Sequence, residues 1–234
     1  MKARNARLFS RFPDRHLGVL KRLDSPARVQ DFLDYEIGYN HDRTEICLSP
    51  LGVLREGRAH CIEGAMLAAA AFLFHGRPPL LLDLRADTDD DDHVIAPFRE
   101  KSGWGAVAQS NFCGLRFREP IYRSLSELAR SYFEFYYNAS GKKTLREFSA
   151  VLDAGGLPPE WLYAPDASFV GVLLDGVRHY GVAGGLRPDR SRKADSLLFE
   201  AELRGAAGSP LTLRRPLPYG PRLKAVPRAR GQNV

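Results

Sequence analysis

Cysteine is scarce in this chain of 234 residues: Cys47, Cys61 and Cys113 are the only three, and no two stand in C-x-x-C spacing. A sparse, odd set excludes a disulfide framework and a structural zinc knuckle. It predicts reduced thiols in a cytoplasm, with no metal and no cofactor. Long apolar runs are missing too. No window reaches the roughly 18 uninterrupted apolar residues of a membrane span, and residues 1–15 are basic without the apolar stretch of a signal peptide, so neither a membrane nor secretion is expected. Acidic residues are absent from 205–234, which hold six basic residues and five prolines. That segment alone carries the net +6, and the first 204 residues are neutral. It reads as an extended or disordered Pro-rich tail, capable only of weak contact with nucleic acid, because Tyr219 is the one aromatic among its charges.

The body, 25–204, reads as one domain behind an N-terminal extension, 1–24, and 44% of the whole chain is hydrophobic, enough to build a core. Ser25 and Pro26 supply an N-cap and first helical position, and Val29, Phe32, Leu33 and Ile37 form one apolar face, so a helix is predicted over 26–37. Residues 40–58 read as a connection. The next helix, 61–75, is rich in Ala and Leu and apolar nearly all round, which places it at the centre of the domain with a thiol as its first residue. Strands are predicted at 80–84, 93–98 and 104–110, with the acidic turn Asp87, Asp89 to Asp92 before the second. A hairpin turn near Lys101 and Ser102 sets His93 across from Ser110 or Asn111. Helical spacing of Ile121, Leu125, Leu128, Tyr132 and Tyr136 predicts an amphipathic helix over 120–138, then a shorter one over 143–150 and a loop over 153–161. Asp166 to Ser168 read as a cap before 169–174, and 176–182 as a strand or turn.

A thiol at a helix N-terminus is where ionisation comes most easily, because the first N–H groups and the helix dipole favour the thiolate. Cys61 is therefore the candidate nucleophile, and His93, at the start of a strand, the candidate base. Asn111, or more weakly Ser110, would hold the imidazole in one tautomer. The aspartates before His93 read as a solvated turn rather than a cation site, and their field should favour an imidazolium beside a thiolate. His179 is a secondary base, and His60 a capping or surface residue. Cys47 and Cys113 read as structural, and Arg116, Arg118 and Arg123 as surface charges.

The segments Val29-Gln30-Asp-Phe-Leu33, Ala59-His-Cys-Ile-Glu-Gly-Ala65, Leu82-Asp83-Leu84, Asp92-His93-Val94, Trp104-Gly-Ala106, Ser110-Asn111 and Pro120-Ile-Tyr-Arg123 resemble those of bacterial transglutaminase-like proteins, within the papain-type cysteine enzymes. The resemblance covers 25–149. It implies an α+β fold with a papain-like core, the nucleophile helix packed on an antiparallel sheet. It also implies catalytic Cys61 and His93, with Trp104 shielding them from water. The family's third residue is usually Asp, whereas 104–112 contain none, so Asn111 would give a Cys-His-Asn set. The expected activity is acyl transfer from an amide or peptide bond of a peptide or protein, through a thioester resolved by water rather than by an amine. The alternative is an inactive binding or scaffold module of the same fold.

Overall fold

The computed structural model describes residues 7–41, 46–182 and 190–206, in which helices and an antiparallel sheet give an α+β fold. Helices α1 (Asp14–Arg22) and α2 (Pro26–Tyr35) come first, the second started by Ser25, whose Oγ accepts the Arg28 N–H at 3.4 Å. Phe9, Phe12, Leu20 and Leu23 are buried with Val29 and Leu33 in one cluster. From Phe9 onward the expected extension is thus part of the core.

Ser49 and Pro50 repeat the Ser25-Pro26 start signal and open α3 (Pro50–Glu56), where the sequence suggested only a connection. Seven residues are too few for periodicity to show, whereas the cap was legible. Short strands β1 (Gly38–Tyr39) and β2 (Arg58–Ala59) pair in parallel. Helix α4 (Cys61–Phe74) follows, ending at His75 and Gly76, which adopts φ 76°.

The main sheet contains β3 (Leu80–Ala86), β4 (His93–Glu100), β5 (Gly103–Val107), β6 (Arg118–Tyr122), β7 (Leu145–Ser149) and β9 (His179–Gly181) in the order β6-β5-β4-β3-β7-β9. The short β8 (Leu152–Asp153) pairs with the start of β3, and every pair in this sheet is antiparallel. The hairpin turns at Lys101 and Ser102, since Glu100 pairs with Gly103. Both faces are covered, which is why the strands read as near-continuous apolar runs. Leu81, Val94, Ala96, Phe98 and Val107 lie in the cluster that contains α4, and Leu82, Leu84, Ile95, Ala106 and Ala108 in a second cluster with Leu128, Tyr132 and Tyr136.

The helix expected over 120–138 is instead β6, then α5 (Leu125–Arg130), capped by Ser124, then a single 3₁₀ turn at Phe133–Phe135. Ile121 is 65% exposed, while Tyr132 and Tyr136 fill the second face of the sheet. Burial beneath a sheet imitated helical spacing there. Residues 143–150 hold β7 rather than a helix, because pairing with β3 on one side and β9 on the other overrides local preference. Helices α6 (Phe169–Gly176) and α7 (Ser196–Ala206) complete the described chain. Residues 205 and 206 of the expected tail belong to α7, and 207–234 lie outside the described residues. Among the described residues no helix is long and apolar enough to cross a membrane.

Two polar clamps fix the end of β5 against the helices. The Gln30 amide donates to the Ala108 carbonyl at 2.9 Å and accepts the Ala108 N–H at 3.0 Å, imitating a neighbouring strand. Gln109 donates to the Ile37 carbonyl at 3.3 Å, and a Cβ on Gly64 would meet its Cβ at 2.4 Å. Gly64 thus lets α4 approach the chain leaving β5, which brings the first residue of α4 to the end of the sheet.

Candidate active site

Cys61 is half-buried as the first residue of α4. Its S–H donates to the Asp92 carbonyl at 3.8 Å, and the backbone N–H groups of Val94, Ile62 and Cys61 itself point at the sulfur. Because the Val94 N–H faces the thiol, it points away from β3, on the side where β5 has stopped at Val107. The sulfur fills the ladder position that β5 leaves vacant. Those N–H groups favour a thiolate, but burial outweighs them and, with the nearby Asp83 carboxylate, holds the thiol pKa up at about 11.

Glu63, with 0% exposure, fixes this helix start. Its Oε2 accepts the His60 N–H at 2.8 Å and the Asn40 amide at 3.2 Å, and its Oε1 accepts the Leu48 N–H at 2.7 Å. The Cys-Ile-Glu-Gly run is therefore a candidate nucleophile followed by the anchor of its helix start and by the glycine that permits close packing.

His93 pairs with Leu84 and stands on the second face, its ring 6.4 Å from those of Tyr132 and Tyr136. Its Nε2 lies 2.9 Å from the Leu115 carbonyl, which can only accept, so this nitrogen carries the proton. Nδ1 has no hydrogen-bond partner and reaches solvent through the pocket, leaving its lone pair available there. Burial pushes the imidazole down to about 4, with Arg118 adding to the effect. In place of the imidazolium–thiolate pair expected from the acidic turn, burial favours a neutral ring and a neutral thiol lining one pocket. Asp87 and Asp89 in that turn face Lys142, and Asp87 also Arg146, which cancels much of its field.

A cavity of about 460 Å³ at this end of the sheet is lined by Cys61, His93, His60, Ser110, Asn111, Asp90, Asp91 and Asp92, with Tyr39, Phe112 and Tyr136 among its aromatic walls. Cys61 enters it from the first face and His93 from the second. No family model and no curated protein matches this chain. Its chemistry is therefore read from these side chains alone.

Asn111 lies in the pocket wall but makes no hydrogen bond to His93, and the orienting acceptor is the Leu115 main-chain carbonyl. Ser110 is occupied in a turn, its Oγ accepting the Phe112 N–H at 3.0 Å. Trp104 pairs with Arg99 at the hairpin end and lines a different cavity, with Pro97 and Phe98. Six residues of strand separate His93 from that level, about 20 Å at ~3.3 Å per residue, so Trp104 shields nothing here.

The sequence missed Asp83 as a polar centre. It sits on the α4 face, 4% exposed at its side chain, with its Oδ2 3.2 Å from His179 Nε2. The signal was present: a lone carboxylate in the run Leu80-Leu-Leu-Asp-Leu84 must find a buried partner. Among the described residues, two sets of side chains have ligating atoms mutually within 4.8 Å: Cys47, His60 and Glu63, and Asp83, Asp92 and Asp175. Protein groups already hold their carboxylates: Glu63 as above, Asp83 by His179 and Asp92 by the Ala86 N–H at 2.7 Å.

Proposed function

We propose that this chain is a cysteine-dependent acyl-transfer enzyme acting on an amide or peptide bond, with a papain-like or transglutaminase-like core. The observation that carries the reading is the pocket shared by the half-buried Cys61 thiol and a His93 ring whose protonated nitrogen is tied to the Leu115 carbonyl, leaving a basic nitrogen open to the same space. His93 Nδ1 takes the thiol proton as sulfur attacks the carbonyl carbon, and the tetrahedral oxyanion is met by backbone N–H groups at the start of α4. The C–N bond breaks, and the imidazolium returns its proton to the departing amine. Water then attacks the thioester, losing a proton to Nδ1, and the C–S bond breaks to release the acid and restore the thiol.

The alternative, an inactive module of the same fold, draws on one observation: burial disfavours charge on both Cys61 and His93. The activated ester p-nitrophenyl acetate separates the two. The wild-type chain is expected to form an acetyl thioester at Cys61, detected by peptide mass mapping, and His93→Gln to lose it. Acetylation that follows exposure across Cys47, Cys61 and Cys113, unchanged by His93→Gln, refutes the enzymatic reading.

A further inference from the structure

The carbonyl that orients His93 belongs to a 3₁₀ turn, Cys113–Leu115, lying outside the sheet. A backbone acceptor is only as well placed as the turn that carries it. Arg118 Nη2 donates to the Gly114 carbonyl of this turn at 2.6 Å, and its N–H side is held by a side chain 88 residues further on. Glu202 of α7 is 3% exposed, and its Oε1 accepts the Gly114 N–H at 3.0 Å and the Cys113 S–H at 2.9 Å. The turn is braced from behind, since a Cβ on Gly114 would meet Phe135 at 2.5 Å. Phe199, three residues before Glu202, packs its ring on Tyr137 with centroids 5.7 Å apart.

Stability alone does not account for a carboxylate here. Glu202 Oε2 is buried without a partner, and a buried carboxylate with half its acceptors unused costs more than an apolar side chain of similar volume. What the carboxylate does supply is a strong, directional acceptor for the N–H of the residue immediately before Leu115.

We propose that Glu202 is a positioning residue for His93, acting through the Gly114 N–H and the Leu115 carbonyl to hold the imidazole as its Nε2–H tautomer. The catalytic consequence rests on the acyl-transfer reading given above, whereas the structural link can be measured without any turnover. Long-range ¹H–¹⁵N correlation spectra of the full chain report the tautomer of each histidine ring. The wild type is expected to show His93 as the Nε2–H form. In Glu202→Ala the ratio of the two tautomers should move about tenfold toward Nδ1–H, the scale of one lost charge-assisted hydrogen bond, while Glu202→Gln, which keeps an acceptor oxygen, should restore the wild-type spectrum. If the alanine variant does not fold, Glu202→Asp serves, since it withdraws the acceptor by one methylene and should shift His93 in the same direction. An unchanged His93 spectrum in a folded Glu202→Ala or Glu202→Asp chain, whatever the loss of thermal stability, overturns the proposal. An inert Cys61 with a responsive His93 spectrum would sink the acyl-transfer reading and leave the positioning role standing.

Discussion

His179 Nδ1 lies 2.8 Å from the Val177 carbonyl, and Nε2 of the same ring lies 3.2 Å from Asp83 Oδ2. A carbonyl oxygen only accepts, so Nδ1 carries a proton. Nε2 is thereby left facing the Asp83 carboxyl group. The pair ties β3 to β9, close to Cys61 yet on the opposite face from His93.

Asp83 gives a pH signature of its own. Burial first, then the Asp92 charge, raises Asp83 from 3.8 to about 6, so the native state holds a proton that the unfolded chain has lost. From this group, stability falls as pH rises through about 4 to 6. His93, lowered from 6.5 to about 4, acts oppositely: the native state lacks a proton there, and stability rises with pH over the same window. Asp83→Asn removes the first contribution and keeps the second. Urea midpoints measured from pH 4 to 7 should therefore climb more steeply in Asp83→Asn than in the wild type, and parallel curves would refute the raised Asp83.

A neutral thiol and a neutral imidazole in one pocket predict a different rate profile from an ion pair. With His93 basic above about 4 and Cys61 a thiol below about 11, acetylation of Cys61 by p-nitrophenyl acetate should vary little between pH 6 and 9. In His93→Gln only the free thiolate reacts, so the rate should rise tenfold per pH unit and lie about 10²–10⁴-fold below wild type near pH 7. A wild-type rate that also climbs tenfold per unit would remove His93 as the base.

The positions of Cys61 at a helix start and His93 at a strand start, and the hairpin joining β4 to β5, were legible because they rest on short-range signals: a helix start, a two-residue turn, a strand register. That the acceptor at His93 Nε2 is the Leu115 carbonyl and not Asn111 was not legible, for the opposite reason. Side-chain types advertise themselves in a sequence, whereas a main-chain carbonyl such as that of Leu115 has no letter. The pairing of Asp83 with His179 spans 96 residues, and the contact of Glu202 with Gly114 spans 88, so neither had a local signal beyond the presence of a charge. Helix α5 and strand β7 were obscured where a sheet surface decided which residues were buried.

Glu63 should be the most sensitive position outside the chemistry. Its carboxylate serves the N–H groups of Leu48 and His60 and the Asn40 amide, and alanine leaves all three without it. The expected cost is roughly 3–5 kcal/mol, measured by denaturant unfolding. Glu63→Gln should fall between the two, because an amide has one acceptor oxygen and its NH₂ must then confront either the Leu48 or the His60 N–H. Equal stability of Glu63→Gln and wild type would show that this anchor holds less than its hydrogen bonds suggest.

Gly64→Ala sets two effects of opposite sign against each other. In the interior of α4, alanine is favoured over glycine by about 1 kcal/mol through backbone entropy. Against that, the added methyl would meet Gln109 Cβ at 2.4 Å, a distance real Cβ atoms do not tolerate. Gln109 cannot simply swing away, because it is 3% exposed and bonded to the Ile37 carbonyl. Relief requires α4 to move off the chain leaving β5, carrying Cys61 with it. Overpacking of this kind costs about 1–3 kcal/mol, so the net effect should be a loss of stability, accompanied by slower acetylation of Cys61. A more stable Gly64→Ala chain would mean that α4 and Gln109 are not in the close contact described, and with it the placement of the thiol at the end of β5 would fail.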